Sequence, residues 1–181
     1  MSRCHLAKLL ACASIVYGSS PSSFPSSSPS SDLTTYSWAK LGDDIDGEYW
    51  NDNSGTSVSI SSDGSVVAIG AAYNDGDGIQ SAGHVRVYAV NAEEEWTQLG
   101  NDIDGEALYD FSGHSVSLSA SGSVVAVGAF GHDKNTFSSN NGHVKVYEYD
   151  DTSETWEQLG TDIDGESSMD LSGYSVSLSA D

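Results

Sequence analysis

Ser112-Gly113-His114-Ser115-Val116-Ser117-Leu118, Val124-Val125-Ala126-Val127-Gly128-Ala129 and Gly142-His143-Val144-Lys145-Val146-Tyr147 follow one another along the chain, and each has a double. Ser54-Gly55-Thr56-Ser57-Val58-Ser59-Ile60, Val66-Val67-Ala68-Ile69-Gly70-Ala71 and Gly83-His84-Val85-Arg86-Val87-Tyr88 stand in the same order 58 or 59 residues earlier. A third such Ser-Gly segment follows at Ser172-Gly173-Tyr174-Ser175-Val176-Ser177-Leu178. Trp38, Trp96 and Trp156 open the three copies, each leading into Leu-Gly and then Asp-Ile-Asp-Gly-Glu. Self-similarity of this density marks a repeat architecture, in which each unit buries its apolar face against the next.

Within a copy the periods are those of strands. Val58 and Ile60 alternate with serines, so they share one face of a half-buried strand. Asp63-Gly64 predicts a two-residue type I′ hairpin, with Ser121-Gly122 as its weaker equivalent. The run Val66 to Ile69 is apolar on both faces, as a strand covered by sheets on two sides would be. His84 to Tyr88 alternates again, and Trp96 to Leu99 supplies a fourth strand. No window after residue 20 carries an apolar 3.6-residue period with caps, so no helix is expected there. The fold class expected is therefore all-β: β-propeller blades of four antiparallel strands, two blades plus part of a third. Small Gly and Ala residues suit a crowded axis, and Trp and Tyr suit the widening gaps between blades. A β-sandwich is the alternative, although sandwiches do not usually repeat their sequence.

These residues resemble the FG-GAP repeat of integrin α-type propellers. Ser54-Gly55 and Ser112-Gly113 stand where the family has Phe-Gly, and Gly70-Ala71 and Gly128-Ala129 stand for its Gly-Ala-Pro, without the proline. The resemblance covers residues 38–181, in copies of about 38–95, 96–155 and 156–181, the last truncated. It implies that further propeller blades are missing from this chain. It does not bring the family's calcium loop with it, because Ser61-Ser62-Asp63-Gly64-Ser65 lacks the oxygens calcium takes.

The rest of the chain bounds the setting. Arg3 and Lys8 precede the short apolar stretch Leu9 to Tyr17, so residues 1–18 suggest a signal peptide, with an irregular cytosolic tail as the competing interpretation. Both cysteines, Cys4 and Cys12, fall inside that segment. Residues 19–37 form a Ser/Pro-rich segment expected to be a disordered stalk. From residue 19 onward four basic residues face 27 acidic ones. Such a surface repels phosphate backbones and anionic lipid, so nucleic acid is not an expected partner and no membrane insertion is expected once the signal is removed. The expected localisation is secreted or at the cell surface.

Two constellations bear on chemistry. Asp44, Asp46, Glu48 and Asp52 recur as Asp102, Asp104, Glu106 and Asp110, and again as Asp162, Asp164, Glu166 and Asp170. Alternate carboxylates before a glycine turn suit a hard cation such as calcium, while a solvated Asp-Gly turn explains the same residues without one. His84 and His143 occupy equivalent places, which fits structural strand residues better than a catalytic pair. Gly113-His114-Ser115 lacks the last glycine of a nucleophile elbow. No enzyme is expected. The function expected is a non-catalytic recognition or adhesion module whose partner is an extracellular protein or glycan ligand. The alternatives are an acidic, cation-binding matrix protein, or a fragment of a polysaccharide-active enzyme whose site lies in missing blades.

Overall fold

The computed structural model describes residues 39–133 and 140–180. The signal, the stalk, Trp38 and Asp181 lie outside the described residues. Two antiparallel sheets follow each other along the chain. The first holds β1 (Ser57–Ile60), β2 (Val66–Ala71), β3 (His84–Val90) and β4 (Trp96–Gln98) in that order, with β5 (Ile103–Asp104) also pairing β3. The second repeats the plan with β6 (Ser115–Leu118), β7 (Val124–Ala129), β8 (His143–Asp150) and β9 (Thr155–Gln158), and β10 (Ile163–Asp164) also pairs β8. Each sheet thus has the four strands legible in the sequence and a fifth, two-residue strand that was not. A 3-10 turn at Gly76–Gly78 is the one helical element among the described residues. No helix there is long and apolar enough to cross a membrane.

The core follows from the patterning. Every residue of β2 is buried, as an apolar run with two covered faces requires. Val66 and Ala68 of β2, with Val85 and Val87 of β3, pack against Val116 and Leu118 of β6 and Val125 and Val127 of β7. Val67, Val85, Val87 and Val125 are fully enclosed, and each such side chain contributes about 2 kcal/mol through burial. The sheets therefore meet face to face. The same positions of β1 show what the contact does, since Val58 and Ile60 stay 39% and 42% exposed while Val116 and Leu118 are buried.

Serine builds the seam between the sheets. Ser57 Oγ donates to the Gly113 carbonyl at 2.7 Å, the Leu118 amide donates to Ser59 Oγ at 2.9 Å, and the Ser62 amide donates to the Ala120 carbonyl at 2.9 Å. One repeat later the bonds recur: Ser115 Oγ to the Gly173 carbonyl at 2.7 Å, the Leu178 amide to Ser117 Oγ at 2.9 Å, and the Ala120 amide to the Ala180 carbonyl at 3.3 Å. Tryptophan makes a second tie. Trp96 Nε1 donates to the Leu41 carbonyl at 3.1 Å and Trp156 Nε1 to the Leu99 carbonyl at 2.8 Å, each indole reaching into the preceding copy.

Two local expectations change. The hairpin at Asp63-Gly64 is not a two-residue type I′ turn. The Ser61 amide bonds the Val66 carbonyl at 2.9 Å and only Gly64 has a positive φ, of 76°, so four residues form the loop. The cause is Asp63, whose carboxylate accepts bonds from the Ser65 amide, Ser61 Oγ and Ser65 Oγ. A side chain that closes its own turn competes with the tighter hairpin. The Ser175-Val176-Ser177-Leu178 segment, the third copy's counterpart of β1 and β6, also forms no ladder. That segment is held to the second sheet by the Leu178 and Ala180 bonds described above rather than by strand pairing.

Candidate functional site

The acidic clusters do not gather as sets. Asp44 is exposed and pairs with Lys40 at 3.2 Å, and Asp46 is exposed. Asp52, Asp110 and Asp170 turn under the segment that precedes each Ser-Gly. Asp52 accepts from the Tyr49 amide and Asn74 Nδ2, Asp110 from the Glu106 and Ala107 amides, and Asp170 from the Ser167 amide. Glu106 pairs with Lys145, whereas Glu166 is exposed. Asp104 sits on β5 and Asp164 on β10.

Two groups form instead across copies, around the histidines. The first brings together Glu48, His84 and Asp102, the second His143, Asp162 and Asp164. In the first, Arg86 Nε and Nη2 both bond Asp102, at 2.9 and 2.6 Å, and Nη2 reaches Glu48 at 2.6 Å. Gln98 Nε2 donates to Asp102 at 2.6 Å. Burial pushes the Asp102 carboxyl up, but the Arg86 and Gln98 bonds outweigh it and hold it below its usual value. The Arg86 hydrogen bond likewise lowers Glu48. Burial, then the Arg86 charge, lower His84. In the second group Gln158 donates to Asp162 at 2.7 Å, and Lys145 stands where Arg86 stood. Burial lowers His143 too. Sequence reasoning missed these hubs. Their signal was the repeated His-x-Arg/Lys of β3 and β8, facing the Asp-Ile-Asp of β5 and β10.

Where the copies differ, aromatic rings collect. Tyr73 follows β2, Phe130 follows β7, Tyr109 and Phe111 lie between β5 and β6, and His114 and Tyr174 stand just before the Ser-Val-Ser segments. Antiparallel pairing puts all six at one end of the sheets. Phe111 and Phe130 stack with centroids 5.1 Å apart and planes 7° apart. Tyr73 meets Phe111 edge-on at 5.2 Å, Tyr109 stacks on Phe111 at 6.1 Å, and Tyr174 meets Phe130 at 5.5 Å. His114 lies between Phe130 and Tyr174, at 4.5 and 4.9 Å. Tyr73, Tyr109 and Tyr174 remain 45%, 45% and 59% exposed. Tyr109 and Phe111 hold φ of 63° and 54°. Met169 and Leu171, their equivalents in the third copy, hold 66° and 55°, so this left-handed backbone belongs to the repeated turn. The equivalents of these residues are not aromatic as a set: Phe111 corresponds to Asn53 and Leu171, and Phe130 to Ala72.

The acid response follows from the Asp63 turn and the two buried histidines. Three hydrogen bonds, led by the Ser65 amide, bring Asp63 down to about 2. A folded-state value below the unfolded one adds stability that is complete above pH ~4 and is lost as pH falls towards 2. His84 and His143, held low by burial, give stability that is complete above pH ~6.5 and falls below it. Urea unfolding should therefore show stability declining from neutral pH downwards. The wild-type advantage over Asp63→Asn should stay constant above pH ~4 and shrink between 4 and 2. A constant advantage down to pH 2 would contradict the Asp63 turn. No family model matches the chain, and no curated protein matches it.

Proposed function

We propose that this chain is a non-catalytic recognition module of FG-GAP-like propeller repeats, secreted or displayed at a cell surface, whose two sheets are consecutive blades. The observation that carries the proposal is the division of labour among positions. Residues that recur from copy to copy form seams, turns and ion pairs, while residues that differ form one exposed aromatic end. A repeated scaffold with a non-repeating surface is how a solenoid or propeller presents a binding site. The face-to-face sheets, the serine seam and the tryptophan ties, each recurring in the same sense, support the blade assignment.

The ligand is an extracellular glycan or protein that lays an apolar surface on the rings. Tyrosine and phenylalanine offer large contact area at small entropic cost, and the Tyr109, Tyr73 and Tyr174 hydroxyls give polar edges. The acidic surface selects against anionic ligands. The labelled full chain, applied to glycan arrays and to cell-surface protein preparations, should be captured by one class. Tyr109→Ala and Tyr174→Ala should each weaken that capture by about tenfold, the range for an aromatic anchor, with melting temperature nearly unchanged. Capture that is indifferent to both substitutions would refute the aromatic end as the binding surface.

A further inference from the structure

The two copies build the same polar hub and close it differently. Around His84 the Arg86 guanidinium forks onto Asp102 and also engages Glu48, so the facing carboxylates are neutralised by a rigid donor. Lys145 replaces it in the second copy with a single-headed ammonium. Its Nζ is committed to Glu106 and stands 3.7 Å from the nearest Asp162 oxygen, beyond hydrogen-bond length. His143 is only 4% exposed, and its Nδ1 is the buried side-chain polar atom left without a hydrogen-bond partner among the described residues. That nitrogen lies 3.7 Å from Asp162 Oδ2.

Strand register explains the convergence. Asp164 stands directly opposite His143 in the β8–β10 ladder, and Asp162, two residues before Asp164, projects to the same face. His143, Asp162 and Asp164 each bring one ligand atom within 4.8 Å of the other two. His132 packs against the His143 ring at a centroid distance of 4.1 Å, and its own Nδ1 lies 3.2 Å from the buried Asp110 carboxylate. The imidazole is thereby fixed by a neighbour that is itself anchored, as outer groups fix a metal-ligating histidine.

We infer that His143, Asp162 and Asp164 form a binding site for a divalent transition ion of the zinc class, completed by water. One imidazole and two carboxylates match the three-ligand, open-position sets that zinc takes, and the nitrogen donor disfavours calcium, which takes six or more oxygens. The ligand atoms must close towards the roughly 3.3 Å edge of a tetrahedron with ~2 Å bonds, a movement that carboxylate rotation supplies. Lys145 opposes the ion, and the Asp110 and Glu106 carboxylates around the hub offset it.

The test uses the full chain with Cys4→Ser and Cys12→Ser, which removes both thiols. Equilibrium dialysis and calorimetry with zinc at pH 7 should show a site that raises the melting temperature, and cobalt should give visible bands shaped by one nitrogen donor. Asp164→Asn preserves the β8–β10 backbone ladder and side-chain volume, so it should melt near wild type without metal. It should nevertheless bind zinc roughly 100-fold more weakly, at least the loss seen for disturbed metal shells. His143→Gln should abolish the cobalt bands. Lys145→Arg, which places in this hub the guanidinium that closes the other, should abolish zinc binding, while His84→Gln should leave it intact. Zinc affinity unchanged by Asp164→Asn and His143→Gln, or lost equally in His84→Gln, would overturn the inference, as would failure of the chain to bind zinc at millimolar concentration.

Discussion

Gly70→Ala is expected to destabilise the fold by about 3 kcal/mol or more, the upper end of the cost of overpacking a close contact. A Cβ at Gly70 would stand 2.0 Å from the Gly113 carbonyl oxygen and 2.5 Å from Ser57 Oγ. The obstruction is main chain, which cannot rotate aside, and it sits on the Ser57–Gly113 hydrogen bond that ties one sheet to the next. Gly70 is not among the positive-φ glycines, so alanine suffers no backbone strain there and the whole effect is the close approach. Gly55 supplies the opposite case, with φ of 91° and open space around its missing Cβ. Gly55→Ala should cost only about 1 kcal/mol, the strain alone. Gly128→Ala, with its Cβ 2.1 Å from the Gly173 carbonyl, tests the next seam. Urea unfolding of the three variants decides the matter, and a Gly70→Ala protein as stable as Gly55→Ala would refute the seam.

The strands were legible because their periods are local. Val66 to Ala71 announces a twice-covered strand without reference to any other residue, and the alternation of Val116 and Leu118 fixes which face meets the first sheet. The serines between them were not legible. Alternating serine looks like a solvated face, and only the approach of a second copy turns Ser57, Ser59, Ser115 and Ser117 into seam residues. The acidic clusters misled for a related reason. Asp44, Asp46, Glu48 and Asp52 are close in sequence, but an extended chain and a turn send their side chains apart. Glu48 travels to Arg86, Asp44 to Lys40 and Asp52 beneath its own turn. Partners that lie 16 or more residues apart, such as Arg86 and Asp102, are chosen by strand pairing. The aromatic end did leave a trace, because its members occupy the positions where one copy differs from the next.

Asp110→Ala is expected to cost about 3 kcal/mol and to disable the aromatic end as well. The Asp110 carboxylate is 1% exposed. It takes hydrogen bonds from the Ala107 amide at 2.8 Å and the Glu106 amide at 3.2 Å on one oxygen, and lies 3.2 Å from His132 Nδ1 on the other. Alanine removes these acceptors from two partly buried amides and from the partly buried His132 ring, each loss costing about 1 kcal/mol or more. The residues on either side, Tyr109 and Phe111, both hold left-handed backbone that the bonds to Asp110 help to maintain. Released from them, the segment should relax and withdraw Phe111 from its stack on Phe130. Asp110→Asn separates geometry from charge. Its carbonyl oxygen can take both amide bonds and its amide stands within reach of the His132 ring nitrogen, so it should lose only about 1 kcal/mol and keep ligand capture. Unfolding free energies, with near-ultraviolet circular dichroism as the reporter of ring packing, distinguish the outcomes. If Asp110→Asn were as damaging as Asp110→Ala, the carboxylate's charge would be what matters and the turn-closing role assigned to it would fail.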